Sequence, residues 1–391
     1  MRLHSVFIIF IVAKVFVDFL FPERWLSFAL VGFFILLFPL LLRYASYPKF
    51  SLVAMMAFYV VVGGAIRTED WEQALKFSVL WIYFYCFFSL VKRLSLSQRR
   101  VVAEYVLRAV FIAFCANYII SVFRYNVADR EFYVFEHVNL LGSYLVAACI
   151  LLPVIASTRG AGLLYKGGVV VCTFLSTSTG ALACVLLSSL NVGRLSVRSV
   201  GFLILAVVGG GVASYFFTES QAYDLHVKLF GPIQLVLNGE LPEIYRSAKL
   251  GLTLSAFDEA YQSSLTWRFY AYSYYFVELG SRSLWALFWG GGVGSFSTIY
   301  NGYMPHNDFI LVLVDFGIIG LALFFLLLKR LHAMLLAAGP EFRIIFWVLV
   351  VRLLTENNIY SFYLMSFALT VIALVGGKGA DRQWLRQGYQ S

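Results

Sequence analysis

Charged residues are scarce in this chain: Asp, Glu, Lys and Arg make up 13% of its 391 residues, roughly half the share in a typical soluble domain. Hydrophobic residues make up 61%, and the mean hydropathy is +0.82. This composition excludes an ordinary soluble fold and predicts an all-α polytopic membrane protein. The first apolar run, residues 3–20, contains Lys14 and Asp18 and no small-residue cleavage site. We therefore interpret it as a retained span and not as a signal peptide.

Cysteine is also rare, and the sequence has no motif typical of metal or nucleotide binding. The five cysteines all lie within apolar runs, without metal-ligand or redox spacing, so we interpret them as small buried hydrophobes. The glycine-rich residues 290–294 are not followed by the Gly-Lys-Ser/Thr of a Walker loop, and they do not join a strand to a helix. We favour a structural turn for this segment.

The net charge of +9 follows from membrane topology and does not indicate a nucleic-acid partner. One alternate set of chain ends and loops holds 17 Lys and Arg, and the short loops of the opposite set hold five. This bias is the positive-inside signal of multi-span membrane proteins. The five basic residues in the short loops predicted on the outer side are Arg24, Arg67, Arg124, Arg130 and Arg352.

The apolar runs predict twelve spans, since about 17–25 apolar residues are needed to cross a bilayer. The run 163–190 is interrupted by Ser-Thr-Ser-Thr-Gly at 176–180, and the run 344–354 is short. If the run 163–190 forms two short spans, every basic cluster lies on the cytoplasmic side. We therefore predict two spans there, with both chain termini in the cytoplasm. Nine runs are clear: residues 3–20, 25–42, 50–66, 74–91, 101–123, 137–157, 199–217, 308–328 and 358–375.

This topology divides the chain into four parts. Residues 1–217 hold spans one to nine, 218–305 form a large periplasmic loop that we expect to be helical and aromatic-rich, 306–378 hold spans ten to twelve, and 379–391 form a cytoplasmic tail. The polar break at 176–180 also suggests a cavity, because non-helical backbone at membrane depth has to be buried or hydrated. Within the spans, Lys14–Asp18 and Glu104–Arg108 have the spacing of local ion pairs.

A candidate site lies where the large outer loop meets the tenth span. Aromatic residues are dense between 267 and 275, including Trp267 and Tyr270. Their flat faces suit sugar rings, and anchoring at the lipid headgroups is the alternative. Arg268 interrupts this run, and its planar guanidinium can hold a phosphate with two hydrogen bonds. An ion pair with Asp258 or Glu259 is the structural alternative.

His306 follows Pro305 and precedes Asn307 at the predicted start of the tenth span. A helix N-terminus favours anions and disfavours a protonated histidine, which suits a neutral base near pH 7. An interfacial histidine without a catalytic role is the alternative. Two further concentrations of polar residues are predicted on the same side, and solvated loop charge is the alternative for most of them. Their candidate residues are Arg124, Arg130, Glu136, His137 and Asn139 in one and Arg67 in the other.

Three segments resemble a known family. The string from Pro305, PHNDFILVLVDFGIIGLALFF, together with TWRFYAYSYYF followed by FWGGGVGSF and with FEHVNLLGSYL, resembles segments of the bacterial O-antigen polymerase and ligase superfamily. The resemblance implies a multi-span fold similar to metal-independent GT-C-type glycosyltransferases, without a cofactor. It implies an enzyme of the bacterial inner membrane, with a periplasmic site, that forms glycosidic bonds from undecaprenyl-diphosphate-linked glycans.

The resemblance also implies roles for individual residues. Arg268 matches a diphosphate ligand, and His306 matches the group that positions or deprotonates the acceptor, with Glu136 as a rival base. Ligases of this family tend to carry an arginine where this chain has Thr179. A second cation would then come from Arg124, Arg130 or Arg67. The other predicted substrate-binding residues are His137, Asn139, Asn307, Trp267 and Tyr270.

We expect an O-antigen or other surface-polysaccharide polymerase, because Thr179 departs from the ligase pattern. Its acceptor would be a second lipid-linked repeat unit, and a chain-length regulator and a flippase are expected membrane partners. The alternative within the family is a ligase that transfers the glycan to lipid A–core. A lipid-linked glycan transporter is the alternative from another class, although such folds usually show repeated halves that are not evident here. A non-catalytic scaffold is a third possibility.

Overall fold

A computed structural model describes residues 3–45, 70–124, 132–135, 138–155, 159–176, 178–189, 236–251, 264–299, 304–339 and 342–376. The secondary structure of these residues is helical, without strands, which confirms the predicted all-α class. The helices are α1 (Leu3–Leu20), α2 (Arg24–Leu41), α3 (Trp71–Val91), α4 (Leu96–Arg124), α5 (Val138–Ala148), α6 (Arg159–Leu175), α7 (Thr179–Ser189), α8 (Leu241–Lys249), α9 (Ser264–Ser281), α10 (Leu284–Trp289), α11 (Asp308–Ala338), α12 (Phe342–Thr355) and α13 (Phe362–Gly376).

Six helical segments among the described residues are long and apolar enough to cross a membrane, which confirms the predicted membrane class. These segments are α1, α2, α3, α4, α11 and Val138–Ile155, in which a 3-10 turn at Cys149–Leu151 and a final helical turn extend α5. The expected spans 50–66 and 199–217 lie outside the described residues, so the count of twelve stays a prediction. Four of the five cysteines are buried as expected, but Cys115 is exposed on α4.

The run 163–190 forms two helices, α6 and α7, as the interpretation of its polar break predicted. The side chains of two serines form hydrogen bonds at this break. Ser176 donates its hydroxyl to the Thr173 carbonyl at 2.7 Å, and Ser178 donates to the side-chain oxygen of Asn139 on α5 at 3.1 Å. The hydroxyl of Ser178 therefore connects the start of α7 to the start of α5.

The chain divides into two compact units, and the first comprises residues 1–62, 71–193 and 323–391. A buried ion pair lies in this unit, as its spacing predicted: the Lys14 Nζ donates to Asp18 at 2.6 Å. The same ammonium also donates to Ser27 on α2 and to the Tyr363 carbonyl on α13, and Tyr144 on α5 donates to Asp18. The pair thus connects four helices, which its spacing in α1 could not predict.

The predicted Glu104–Arg108 pair is also present, on the partly exposed side of α4, where Arg108 additionally donates to the Tyr165 hydroxyl on α6. At another place in the unit, Arg24 donates to the Val134 carbonyl, and its guanidinium lies 4.0 Å from the centre of the Tyr363 ring. The starts of α2 and α13 and the segment before α5 therefore meet, as expected of ends assigned to one membrane side. Which side they face stays a prediction.

The second unit comprises residues 63–70 and 194–322. Within it, helix α11 is interrupted at Gly317, whose φ of 66° lies in the left-handed region. The glycine-rich turn, residues 290–296, hydrogen-bonds to this interruption: the Gly291 and Gly292 amides donate to the Val314 and Asp315 carbonyls at 3.0 and 2.9 Å. The prediction that these glycines form a structural turn is confirmed.

The Asp315 side chain fixes the turn from within the helix. It is 1% exposed, and its two carboxylate oxygens accept hydrogen bonds from the Gly294 amide, the Ser295 hydroxyl and the Phe296 amide at 2.9–3.3 Å. A buried carboxylate is costly unless such donors surround it. Asp315 and the interruption at Gly317 therefore act together to hold the glycine-rich turn against α11.

Replacing Gly317 with alanine should destabilise the protein. A left-handed φ costs a residue with a Cβ about 1–2 kcal/mol, and the added carbon would lie 2.3 Å from the Phe288 carbonyl oxygen. We expect Gly317→Ala to lower the midpoint of thermal unfolding in detergent. The matched control is Gly280→Ala, because a Cβ at Gly280 meets no atom within 4 Å. Equal midpoints for the two variants would contradict this account of the interruption.

Candidate functional site

The His306 segment lies just before α11, which begins at Asp308. The side-chain oxygen of Asn307 accepts hydrogen bonds from the Phe309 and Ile310 amides at 2.9 and 3.2 Å, so Asn307 is the N-cap of this helix. His306 therefore precedes the cap, with a left-handed φ of 50°. The start of the helix is where the sequence predicted it. Two of its amides, however, bond to Asn307, which was predicted to bind substrate.

Helix α9 packs against this histidine. The Trp267 ring meets the His306 ring edge-on, with 4.9 Å between their centres, and the Tyr272 hydroxyl donates to the His306 carbonyl at 3.3 Å. Arg268 follows Trp267 directly on α9 and is partly exposed. The two segments that carry the proposed chemistry, 38 residues apart from Arg268 to His306, therefore come together within the second unit.

Tyr270 is part of the packing between α8 and α9. It is 1% exposed and packs with Ile244 and Ala248 of α8, while Phe269 and Tyr274 cover the cluster. Burial, with a smaller contribution from Tyr274, raises the pKa of the Tyr270 hydroxyl. These contacts favour a structural role over the predicted role in substrate binding. Trp267, by contrast, is partly exposed and adjoins His306.

A second polar cluster lies in the first unit and centres on Arg352 of α12, which is 4% exposed. Its guanidinium donates to the Ser143 hydroxyl at 2.7 and 3.1 Å and to the Asn139 carbonyl at 2.8 Å. The Glu356 carboxylate, just after the end of α12, lies 3.8 Å from the Arg352 Nη1. A Cβ built on Gly180 would lie 3.2 Å from the Arg352 Nη1. The guanidinium therefore adjoins the starts of both α5 and α7.

Arg352 is a candidate site residue that the sequence alone does not single out. Two signals were available: it is one of five basic residues in the short loops predicted on the outer side, and Glu356 follows it at i,i+4 spacing. Neither signal indicates that Arg352 reaches Asn139, which is 213 residues away in the sequence. The predicted substrate-binding residue Asn139 is thus bonded to both Ser178 and Arg352.

A small apolar cavity of about 70 Å³ adjoins Arg352 within the first unit. Ser143, Arg352 and Asn358 lie together at its wall, since Asn358 donates to the Arg352 carbonyl at 2.9 Å. Most of the remaining lining is aliphatic or aromatic, including Leu335 and Ile372. The polar groups of this cavity are therefore gathered at the Arg352 end of an otherwise apolar lining.

Five predicted site residues remain, and the structure describes one of them. Arg124 is the last residue of α4, and its side chain is exposed. Arg67, Arg130, Glu136 and His137 lie outside the described residues. Within the described part of the chain, His, Cys, Asp and Glu do not form a group of three or more that could hold a metal ion.

No protein-family model matches the sequence, and comparison with curated proteins finds no match. The resemblance to glycan polymerases and ligases therefore rests on the short segments around Arg268, His306 and Asn139 and on the predicted topology.

The role of Asn307 can be tested with two substitutions. Asn307→Ala removes the cap of α11 and should cost about 1 kcal/mol of stability, whereas Asn307→Asp keeps an oxygen that accepts the same two amide hydrogens. We expect the thermal midpoint to fall for alanine and to stay near that of the wild type for aspartate. Equal thermal midpoints for the alanine and aspartate variants would contradict the capping role of Asn307.

Proposed function

We propose that this protein is a polysaccharide polymerase that joins oligosaccharide repeat units carried on undecaprenyl diphosphate at the periplasmic face of the inner membrane. The contact between Trp267 and His306 carries this proposal, because it brings the arginine segment of α9 to the histidine before α11. The family resemblance supplies the substrate class. The six candidate spans support a lipid-linked donor, since a membrane enzyme has direct access to it.

The proposed reaction forms one glycosidic bond and breaks one sugar–phosphate bond. The acceptor hydroxyl oxygen bonds to the anomeric carbon of the donor, and the carrier diphosphate leaves with the electron pair. Arg268 would stabilise the negative charge on the departing diphosphate through paired N–H donors. His306 would take the proton of the acceptor hydroxyl, a contribution typically worth about 10²–10⁴-fold in rate. Trp267 would hold a sugar ring or the imidazole in place.

Arg352 gives the ligase a specific observation in its favour. The polymerase was preferred because Thr179 stands where the ligases tend to have an arginine. The Arg352 guanidinium, however, adjoins Gly180, the residue after Thr179. A cation supplied from α12 could serve the role that the ligase pattern assigns to that position. The apolar lining of the small cavity beside Arg352 would suit a short stretch of hydrocarbon chain. A ligase that transfers glycan to lipid A–core is therefore the second candidate.

Four substitutions in cells test the proposal. We expect Arg268→Ala to lower polymer formation by about 10²–10³-fold, as removal of one charge-stabilising donor does, and Arg268→Lys to restore little because lysine lacks the planar fork. His306→Ala should also abolish long glycan. Arg246→Ala is the matched control, since Arg246 is an exposed arginine on α8 of the same unit. The measurement is electrophoresis of surface glycan at matched protein levels.

The products separate the two candidates. Loss of a polymerase leaves single repeat units on lipid A–core, whereas loss of a ligase leaves polymer on the carrier lipid and none on lipid A–core. Long surface glycan in both Arg268→Ala and His306→Ala cells would overturn the proposed chemistry and favour a scaffold role.

A further inference from the structure

Helix α10 exposes its large apolar side chains. Leu284 is 75% exposed, Trp285 64% and Phe288 47%, and no residue of the helix is buried. The surrounding sequence is also unusual for an extramembrane loop, because residues 283–305 contain no Asp, Glu, Lys, Arg or His. Contiguous exposed apolar surface marks a site of contact with a partner or a membrane. The absence of charged residues is compatible with a segment that lies in lipid, where charged side chains are disfavoured.

Hydrogen bonds on both sides of α10 fix its position relative to α11. Before α10, the Arg282 Nη1 donates to the Val314 carbonyl at 2.7 Å. After α10, Gly291 donates to the same carbonyl at 3.0 Å, and Gly292 donates to the Asp315 carbonyl at 2.9 Å. Both ends of this short helix therefore lie beside residues 314 and 315 of α11.

Residues 314 and 315 lie well inside the predicted span. The apolar run of α11 extends from Asp308 to the Lys329–Arg330 pair, and its 21 residues are about the number needed to cross the hydrocarbon layer. Val314 is six residues after Asp308, which places it about 9 Å along the helix from the outer boundary. The residues that flank α10 are hydrogen-bonded to Val314 and Asp315, so α10 lies at the same depth in the predicted span as these two residues.

We propose that residues 283–296 form a re-entrant segment in the outer leaflet, with α10 contacting the acyl chains of membrane lipids. The non-helical residues 290–296 are compatible with this depth, because backbone in lipid has to be satisfied by protein. Their amides bond to the Val314 and Asp315 carbonyls and to the Asp315 carboxylate. The Trp285 and Trp289 rings, 5.4 Å apart, suit the boundary between headgroups and acyl chains.

Tryptophan fluorescence of the full chain in lipid vesicles tests this proposal. The signal is the tryptophan fluorescence of the wild type minus that of the double variant Trp285→Phe/Trp289→Phe. This difference comes from two of the eight tryptophans. We expect phospholipids brominated on their acyl chains to quench most of this difference signal, and aqueous iodide to quench little of it. Quenching by iodide alone would show an aqueous helix, and protection from both quenchers would show a protein-covered one. Either result overturns the proposal.

A pair of lysine substitutions gives an independent readout. Leu284→Lys places a charge on α10, and Leu250→Lys is its control, since Leu250 is similarly exposed at 74% and follows α8. Charge in the hydrocarbon layer is disfavoured, so we expect Leu284→Lys alone to reduce the yield of folded protein in membranes. Equal yields for the two variants would contradict membrane embedding of α10.

Discussion

The interruption of α11 at Gly317 and the burial of Asp315 are the constraint on which the second unit depends. The interruption leaves the Val314 and Asp315 carbonyls to accept hydrogen bonds from the glycine-rich turn, and the Asp315 carboxylate accepts three more. Because α9 and α10 lead directly into this turn, their positions follow from it. The contact of Trp267 with His306 also joins α9 to the residues just before the start of α11.

Two polar clusters carry the functional account, one in each unit. In the second unit, Trp267 contacts His306, and Arg268 follows Trp267 on α9. The roles we propose there are stabilisation of a leaving diphosphate by Arg268 and removal of a hydroxyl proton by His306. The cluster of the first unit combines a buried arginine, the starts of α5 and α7 and an apolar cavity. Arg352 weakens the distinction between polymerase and ligase that Thr179 alone suggested, because a cation reaches the same turn from another helix.

Features that depend on local sequence could be predicted. Apolar runs located the helices, the polar residues 176–180 located the break between α6 and α7, and i,i+4 spacing predicted the Lys14–Asp18 pair. Features that depend on distant packing could not. The burial of Tyr270 under α8, the contact of Arg352 with α5, and the link from Lys14 to α13 each join residues separated by tens to hundreds of positions. Periodicity and charge do not encode these pairings.

The most direct measurement is cross-linking of Trp267→Cys to His306→Cys in membranes, with a short bifunctional thiol reagent and exposed Cys115 replaced by serine. The account predicts efficient cross-linking, and strong loss of the product when Asp315→Ala removes the acceptor for the glycine-rich turn. No cross-link in the protein with Asp315 intact would contradict the placement of α9 against His306. An equal yield with and without Asp315 would contradict the dependence of that placement on the interruption of α11.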